Sequence, residues 1–269
     1  MSTATQNPSK QAPVLLKIHE RIATISLNRP HAANALDKET LLLLAQIFDT
    51  VAKNDDVAVV LIHGTGNTFC AGGDIRMFAE HDAEELSLLL DEVLVPLHKG
   101  IVALFNANKV IVSAVNGPVG GGGIGLALCA DYVLAADTIK LRCGYSAIGL
   151  SPDAGSSWFL TRRTGPVRAK QLLLDNTALD AQACVDYGIV DQVYPYDELM
   201  PQAQALAVKL AQGPRKPVQR IVSLINNFSQ RSLEEQLELE RQYMVASGSE
   251  PAAQEGVKAF IEKRAPKFN

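Results

Sequence analysis

Two apolar runs of strand length, Val57–Ile62 without a break and Val110–Val115 with Ser113 as its one polar residue, each lead into a glycine-containing loop, and they constrain the fold more than anything else in the chain. A strand with one wet face alternates apolar and polar residues, whereas a continuous run requires cover on both faces. Helix-period segments supply that cover. Asp37, an N-cap residue type, precedes Leu41, Leu44, Ala45, Phe48 and Val51, and a longer helical stretch runs from about Ala83 to Phe105. Strands and helices therefore alternate, which argues for an α/β fold.

The same reading fills in the rest of the chain. Val14–Ile18 and Ile22–Leu27, joined by His19-Glu20-Arg21, suggest a hairpin; Tyr132–Ala136 and Ile139–Cys143 suggest two more strands, and Ile124–Ala130 has helical composition. Beyond about Gly155 the pattern is nearly all helical, interrupted only by Ile189–Val193. No sequence repeat, low-complexity segment or linker divides the chain. The expected organisation is a disordered tail over 1–12, an α/β core over 13–200 and a helical region over 201–269, whose amphipathic helices pack on the core or on a neighbour.

Composition narrows the function classes. Of 269 residues, 47 % are hydrophobic and 20 % charged, ordinary usage for a folded soluble protein. The first dozen residues are polar and lack the apolar core of a signal peptide, and no apolar run reaches the roughly 18 residues of a membrane span. A cytoplasmic location without membrane association is expected. The four cysteines, Cys70, Cys129, Cys143 and Cys184, show neither C-x-x-C spacing nor histidine partners, so free thiols and no metal are expected. A net charge of −4 disfavours nucleic acid as a partner; the local exception is Lys258, Lys263, Arg264 and Lys267 near the C-terminus.

Two loops carry possible chemistry. In Phe69-Cys70-Ala71-Gly72-Gly73-Asp74, small residues after a buried strand let a ligand approach backbone N–H groups; the same residues also suit a tight turn. The run Gly120–Gly123, between a strand and a helix, exposes helix N-terminal N–H groups to an oxyanion or phosphate. It lacks the Lys-Ser/Thr of a P-loop, while Gly120-x-Gly122-x-x-Gly125 nominally fits a dinucleotide fingerprint.

The surroundings of these loops decide between the readings. Asn28-Arg29-Pro30 with Asn34-Ala35-Leu36, Phe69–Ile75, Asn116-Gly117 with the glycine run and Ala127-x-x-x-Asp131 occur in that order. They are followed by Gly149-Leu150-Ser151-Pro152-Asp153, Ala183-x-x-x-Gly188-Ile189-Val190 and Glu255-Gly256-Val257-x-Ala259-Phe260-x-x-Lys263-Arg264. From about residue 13 to the end the chain resembles the crotonase (enoyl-CoA hydratase/isomerase) superfamily, and the dinucleotide reading gives way.

That resemblance implies a crotonase-like spiral of ββα units with a C-terminal helical trimerisation region, in a homotrimer or a hexamer built as a dimer of trimers. It implies an acyl-CoA substrate, with coenzyme A part of the thioester and no separate cofactor. Gly73 and Gly122 N–H groups would form the oxyanion hole, each donor worth roughly 3 kcal/mol of barrier. Ala33, Ala35, Ala71, Asp74 and Ile75 would line the CoA channel, and Phe260 and Lys263 would meet CoA from an adjacent subunit. The alternative for the basic C-terminus is a solvated helix face.

The reaction is read from what is missing. The family's hydratases use two glutamates; this chain has Gly125 and Tyr145 at the matching positions. Glycine transfers no proton, and a phenol with a pKa of about 10 suits general-base work poorly. Asp153 remains. Its local sequence favours capping the following helix, with Ser156 three residues on. Its position resembles the catalytic acid-base residue of the ring-epoxide phenylacetyl-CoA isomerases and Δ3,Δ2-enoyl-CoA isomerases, which implies a one-carboxylate 1,3-proton shift. A second alternative resembles 4-chlorobenzoyl-CoA dehalogenase, with Asp153 as nucleophile, His98 as base and Tyr145 in place of a tryptophan. A third is a non-catalytic acyl-CoA-binding or RNA-binding homologue. The acyl group stays open; Phe78, Tyr145, Trp158 and Phe159 are candidate pocket walls.

Overall fold

The computed structural model describes residues 12–268, so all but the last residue of the expected tail lies outside the described residues. Strands β1 (Val14–His19) and β2 (Ile22–Leu27) form the expected hairpin. Glu20 and Arg21 turn it with φ of 45° and 66°, the double positive φ that a two-residue turn needs to match strand twist. Helix α1 (Lys38–Lys53) begins at Asp37, whose carboxylate accepts Thr40 N–H at 2.9 Å. Strand β3 follows (Val59–Gly64), two residues later than the apolar run suggested. Val57 is still buried, but the ladder with β2 starts only at the Ile22–Val59 pair.

Next come a short α2 (Ile75–Ala79), α3 (Ala83–Asn106), β4 (Val110–Val115), β5 (Val119–Gly120), α4 (Gly122–Leu128) and β6 (Tyr132–Ala136). Only Leu141–Arg142 of the expected strand 139–143 is paired, as β7. Helices α5 (Ser156–Thr164), α6 (Pro166–Asp175) and α7 (Ala181–Asp186) lead to β8 (Gln192–Tyr194). Ile189 and Val190 were read as strand. Both instead donate their N–H groups to the Cys184 carbonyl, closing the end of α7, and their side chains are buried there. The chain ends in α8 (Tyr196–Ala211), α9 (Arg215–Asn226), α10 (Leu233–Gly248) and α11 (Pro251–Ile261).

The main sheet has the order β1-β2-β3-β4-β6-β8, parallel throughout except for the β1–β2 hairpin. Both faces are covered, as the continuous apolar runs required. Ala23, Ile25, Val60, Ile62, Ile111 and Val133 face a core that includes residues of α1, α3 and α4. The alternate residues Val59, Leu61, Val110, Val112 and Leu134 pack with Leu199, Ala203 and Ala207 of α8.

After each of four main strands the chain makes a short segment in a second layer and then a helix. Leu36 follows β2, Cys70–Gly73 follows β3, β5 follows β4 and β7 follows β6. These segments pair side by side: Leu36 with Gly73, Cys70 with Val119, β5 with β7, and Leu141 with Leu179. The result is a spiral of ββα units. It places the two glycine loops on adjacent rungs although some fifty residues separate them in sequence.

Candidate active site

Leu36 donates its N–H to Gly72 O at 2.8 Å and accepts Asp74 N–H at 3.1 Å. In a parallel ladder the residue between those partners turns its own N–H the other way. Gly73 N–H is therefore turned away from the Leu36 rung, toward the glycine run: its nitrogen is 3.9 Å from where a Cβ on Gly121 would stand. Gly72 and Gly121 make the close approach possible with φ of 95° and 47°, conformations that a side chain would strain. Gly122 opens α4, so its N–H has no carbonyl one turn back. Phe78 lies over Gly73, where any Cβ would fall 2.6 Å from its ring.

Asp153 reaches the same place from another segment. Its Oδ1 lies 3.1 Å from where a Cβ on Gly122 would stand. The local sequence suggested an N-cap, and the structure overturns that. Helix α5 starts after Gly155 without a side-chain cap, Asp153 offers only its carbonyl to Ser156 N–H at 2.8 Å, and its carboxylate is turned to Tyr145. The Tyr145 hydroxyl donates to Asp153 Oδ1 at 2.6 Å. Burial, then the neighbouring Asp153 charge, holds Tyr145 well above the ordinary phenol range, so it is a proton-bearing donor.

Gly125 takes no part in acid-base work, and the structure gives a reason beyond its missing side chain. A Cβ there would stand 2.0 Å from Ala154 O, while Gly125 N–H donates to Ser156 Oγ at 3.1 Å. The loop carrying Asp153 fills the space a longer side chain would need. His98, on α3, accepts Ala154 N–H on Nε2 at 3.2 Å, so that nitrogen holds a lone pair and supports the turn at Ala154, where φ is 49°. Cys70 is buried beside the glycine run, and burial pushes its thiol up to about 12, which keeps it neutral.

The residues expected along a CoA channel also converge. Ala71 N–H donates to Ala33 O at 3.0 Å, and Arg29 binds Ala35 O at 2.5 Å, Asp74 at 3.1 Å and Asp37 at 3.0 Å. Arg29 thus ties the start of α1 to the start of α2. The Asp74 carboxylate is committed to this pair and to Arg76 N–H, its backbone N–H and C=O are bonded to Leu36 O and Phe78 N–H, and Ile75 beside it is exposed. Phe260 and Lys263 lie elsewhere, at the far end of the C-terminal helices. Phe260 is 86 % exposed.

Sequence reasoning missed two features. Ser156 was noted only for helix capping, yet its hydroxyl meets Tyr145, Gly121 and Gly125. Those partners come from two other segments, the start of α4 and the turn at Tyr145, so no spacing signals them. A cavity of about 410 Å³ beyond the Asp153 loop is lined by His98, Ile101, Phe105, Gly155, Trp158 and Phe159, among others. Its aromatic rings pack edge to face, Trp158 at 5.0 Å from Phe159 and 5.2 Å from Phe105. Trp158 and Phe159 are among the walls expected from the sequence; Phe105, two turns along α3 from His98, is a wall that the sequence does not signal.

Two preorganised N–H groups beside one carboxylate can hold a carbonyl oxygen as it gains charge while a proton leaves the neighbouring carbon. Comparison with known proteins gives the family. The sequence profile of the Enoyl-CoA hydratase/isomerase family matches residues 17–269. The chain is 34 % identical to 1,2-epoxyphenylacetyl-CoA isomerase of Escherichia coli (strain K12), over 95 % of this chain and 97 % of that one. It is 29 % identical to 2,3-dehydroadipyl-CoA hydratase of the same organism, over 95 % and 98 %. An enoyl-CoA hydratase from Polaromonas sp. JS666 superimposes with a TM-score of 0.87 at 29 % identity, covering 95 % of this chain and 99 % of that one. The chain belongs to the enoyl-CoA hydratase/isomerase family, the crotonase superfamily, and acts on an acyl-CoA thioester in which coenzyme A is part of the substrate.

Proposed function

We propose that this enzyme is an acyl-CoA double-bond isomerase that moves one proton between two carbons of an enoyl thioester with Asp153 as its only acid-base residue. The observation that carries this reading is the pairing of Asp153 against Gly122 with a Gly125 position that has no room for a second acid. The thioester oxygen sits between Gly73 N–H and Gly122 N–H. Asp153 removes an allylic proton, the electron pair spreads onto the thioester oxygen as an enolate, and the same carboxyl returns the proton two carbons away. Binding that strengthens as the enolate forms accelerates the step, and hydration, which needs a second acid, is disfavoured.

The coenzyme A moiety runs past Ala33, Ala35, Ala71, Asp74 and Ile75. Phe260 and Lys263 of an adjacent copy complete its site in a homotrimer or a dimer of trimers, with residues 201–269 as the assembling region and the cytoplasm as the location. The alternative of a dehalogenase-like hydrolase asks His98 to take a proton from water. The lone pair it would use already accepts Ala154 N–H, which favours the isomerase.

Incubation in D₂O with a 3-enoyl-CoA and its 2-enoyl isomer tests the reading. The native enzyme interconverts them and exchanges deuterium, and Asp153→Asn loses about 10²–10⁴-fold in rate. Full turnover by Asp153→Asn would sink the assignment. Chloride release from 4-chlorobenzoyl-CoA would favour the hydrolase.

A further inference from the structure

Asp153 and the Gly121–Gly122 peptide are joined by two buried hydroxyls. Tyr145 Oη lies 2.6 Å from Asp153 Oδ1 and 2.9 Å from Ser156 Oγ, and Ser156 Oγ lies 3.2 Å from Gly121 O. Gly125 N–H donates to Ser156 Oγ at 3.1 Å and holds it in place. Three contacts thus run in series: Asp153 to Tyr145, Tyr145 to Ser156, Ser156 to Gly121. Two hydroxyl protons cannot fill all three.

The charge on Asp153 decides which contacts are filled. An ionised carboxylate is the strongest acceptor in the series. Tyr145 then donates to it, and that bond makes the phenol oxygen the better acceptor for the Ser156 proton, so the Gly121 carbonyl keeps Ile124 N–H at 3.0 Å and receives no hydroxyl. A protonated Asp153 brings a third proton, and all three contacts fill in the opposite direction, ending with Ser156 donating to Gly121 O. Only O–H rotations are needed; neither hydroxyl gives up its proton. Two other titratable groups face Asp153: Cys70, which burial keeps neutral, and His98, whose Nε2 is held by Ala154 N–H. Neither feeds a proton into the series.

We propose that Tyr145 and Ser156 are positioning residues forming a reversible hydroxyl chain, through which proton uptake at Asp153 polarises the Gly121–Gly122 peptide and strengthens Gly122 N–H as an oxyanion donor. The proposal rests on reading Asp153 as the base and Gly122 as a donor to the thioester. In that step the substrate C–H bond breaks, its proton goes to Asp153, and its electron pair moves onto the thioester oxygen. Negative charge leaves the carboxylate and arrives opposite Gly122. Gly121 C=O and Gly122 N–H belong to one peptide unit, and hydrogen bonds in series reinforce one another. The donor is strongest when the oxygen carries most charge.

Two measurements test this. The first is the infrared C=O stretch of bound butyryl-CoA, a saturated thioester with no double bond to move. Asp153→Asn presents a neutral, hydrogen-bond-donating amide to Tyr145, so the stretch moves to lower frequency than in the native enzyme. Adding either Ser156→Ala or Tyr145→Phe removes that increment. The second is kinetic: each single variant lowers kcat about tenfold with KM within about twofold, and the double variant is no slower than the slower single one, because both cut one chain. Tyr145→Phe keeps the ring in its packing, which guards against loss of fold in Ser156→Ala, where Gly125 N–H loses its partner. Multiplying losses, or an infrared increment that survives both second substitutions, overturns the chain. Full turnover by Asp153→Asn overturns the base assignment beneath it, and the proposal with it.

Discussion

Gly125 and Tyr145, the positions that the family resemblance matches to the two acids of the hydratases, have different surroundings. Tyr145 still meets the reacting region through its hydroxyl, whereas Gly125 has been closed off by the turn at Ala154. Introducing Glu at 125 is therefore expected to disrupt the fold locally rather than restore hydration. Even Gly125→Ala places a carbon 2.0 Å from Ala154 O, and overpacking of that kind costs about 1–3 kcal/mol. Thermal unfolding should register it as a fall of several degrees, with a parallel loss of isomerisation as the Asp153 loop shifts. Unchanged melting and unchanged turnover would mean the loop yields more easily than its packing indicates. The absence of both acids was legible in the sequence. That one of the two positions is filled by backbone was not, because Ala154 is 29 residues away along the chain.

Among the elements, Arg29 is the tie between two helix starts. It holds the N-cap residues of α1 and α2, Asp37 and Asp74, and the Ala35 carbonyl between them, so the segments expected to run along coenzyme A are fixed to one guanidinium. Arg29→Met should loosen that channel and raise KM for an acyl-CoA several-fold while leaving kcat within about twofold, the pattern of lost uniform binding. A fall in kcat at constant KM would instead place the effect at the reacting centre. Asp37→Ala removes a helix cap as well as one of these ion pairs and is expected to cost about 1–2 kcal/mol, measured by denaturant unfolding. The N-cap and the hairpin turn were readable from local sequence because their partners lie within three residues. The strand limits near 59 and 190 were not, since an apolar residue is equally buried in a ladder or at the end of a helix.

For the whole molecule, the C-terminal helices are the conspicuous unpaired part. Leu233, Leu237, Met244, Val245, Val257, Phe260 and Ile261 are all exposed on α10 and α11. Single exposed apolar residues are common, but this many on one pair of helices matches the trimer proposed above. Sedimentation equilibrium should report a multiple of three 28.9 kDa chains, and Leu237→Glu with Val245→Glu should dissociate it and raise KM for acyl-CoA if an adjacent copy completes the site. A monomeric native enzyme of normal KM would refute both. The ββα spiral itself left no repeat in the sequence. Its units share a backbone path and pairing geometry while their side chains differ with what each rung must pack against.

By itself the sequence determined the α/β class, the existence of the apolar strands read at 57–62 and 110–115, though not the exact limits of the first, the two glycine loops and the family. Each of these depends on the order and type of residues close together in the chain. Only the tertiary structure decided that the Gly73 loop lies against the glycine run, that Asp153 turns to Tyr145 instead of capping α5, and that Tyr145 and Ser156 link the carboxylate to the peptide of Gly122. Those relations join segments up to about fifty residues apart. Their geometry comes from strand pairing and core packing, which local patterns cannot specify.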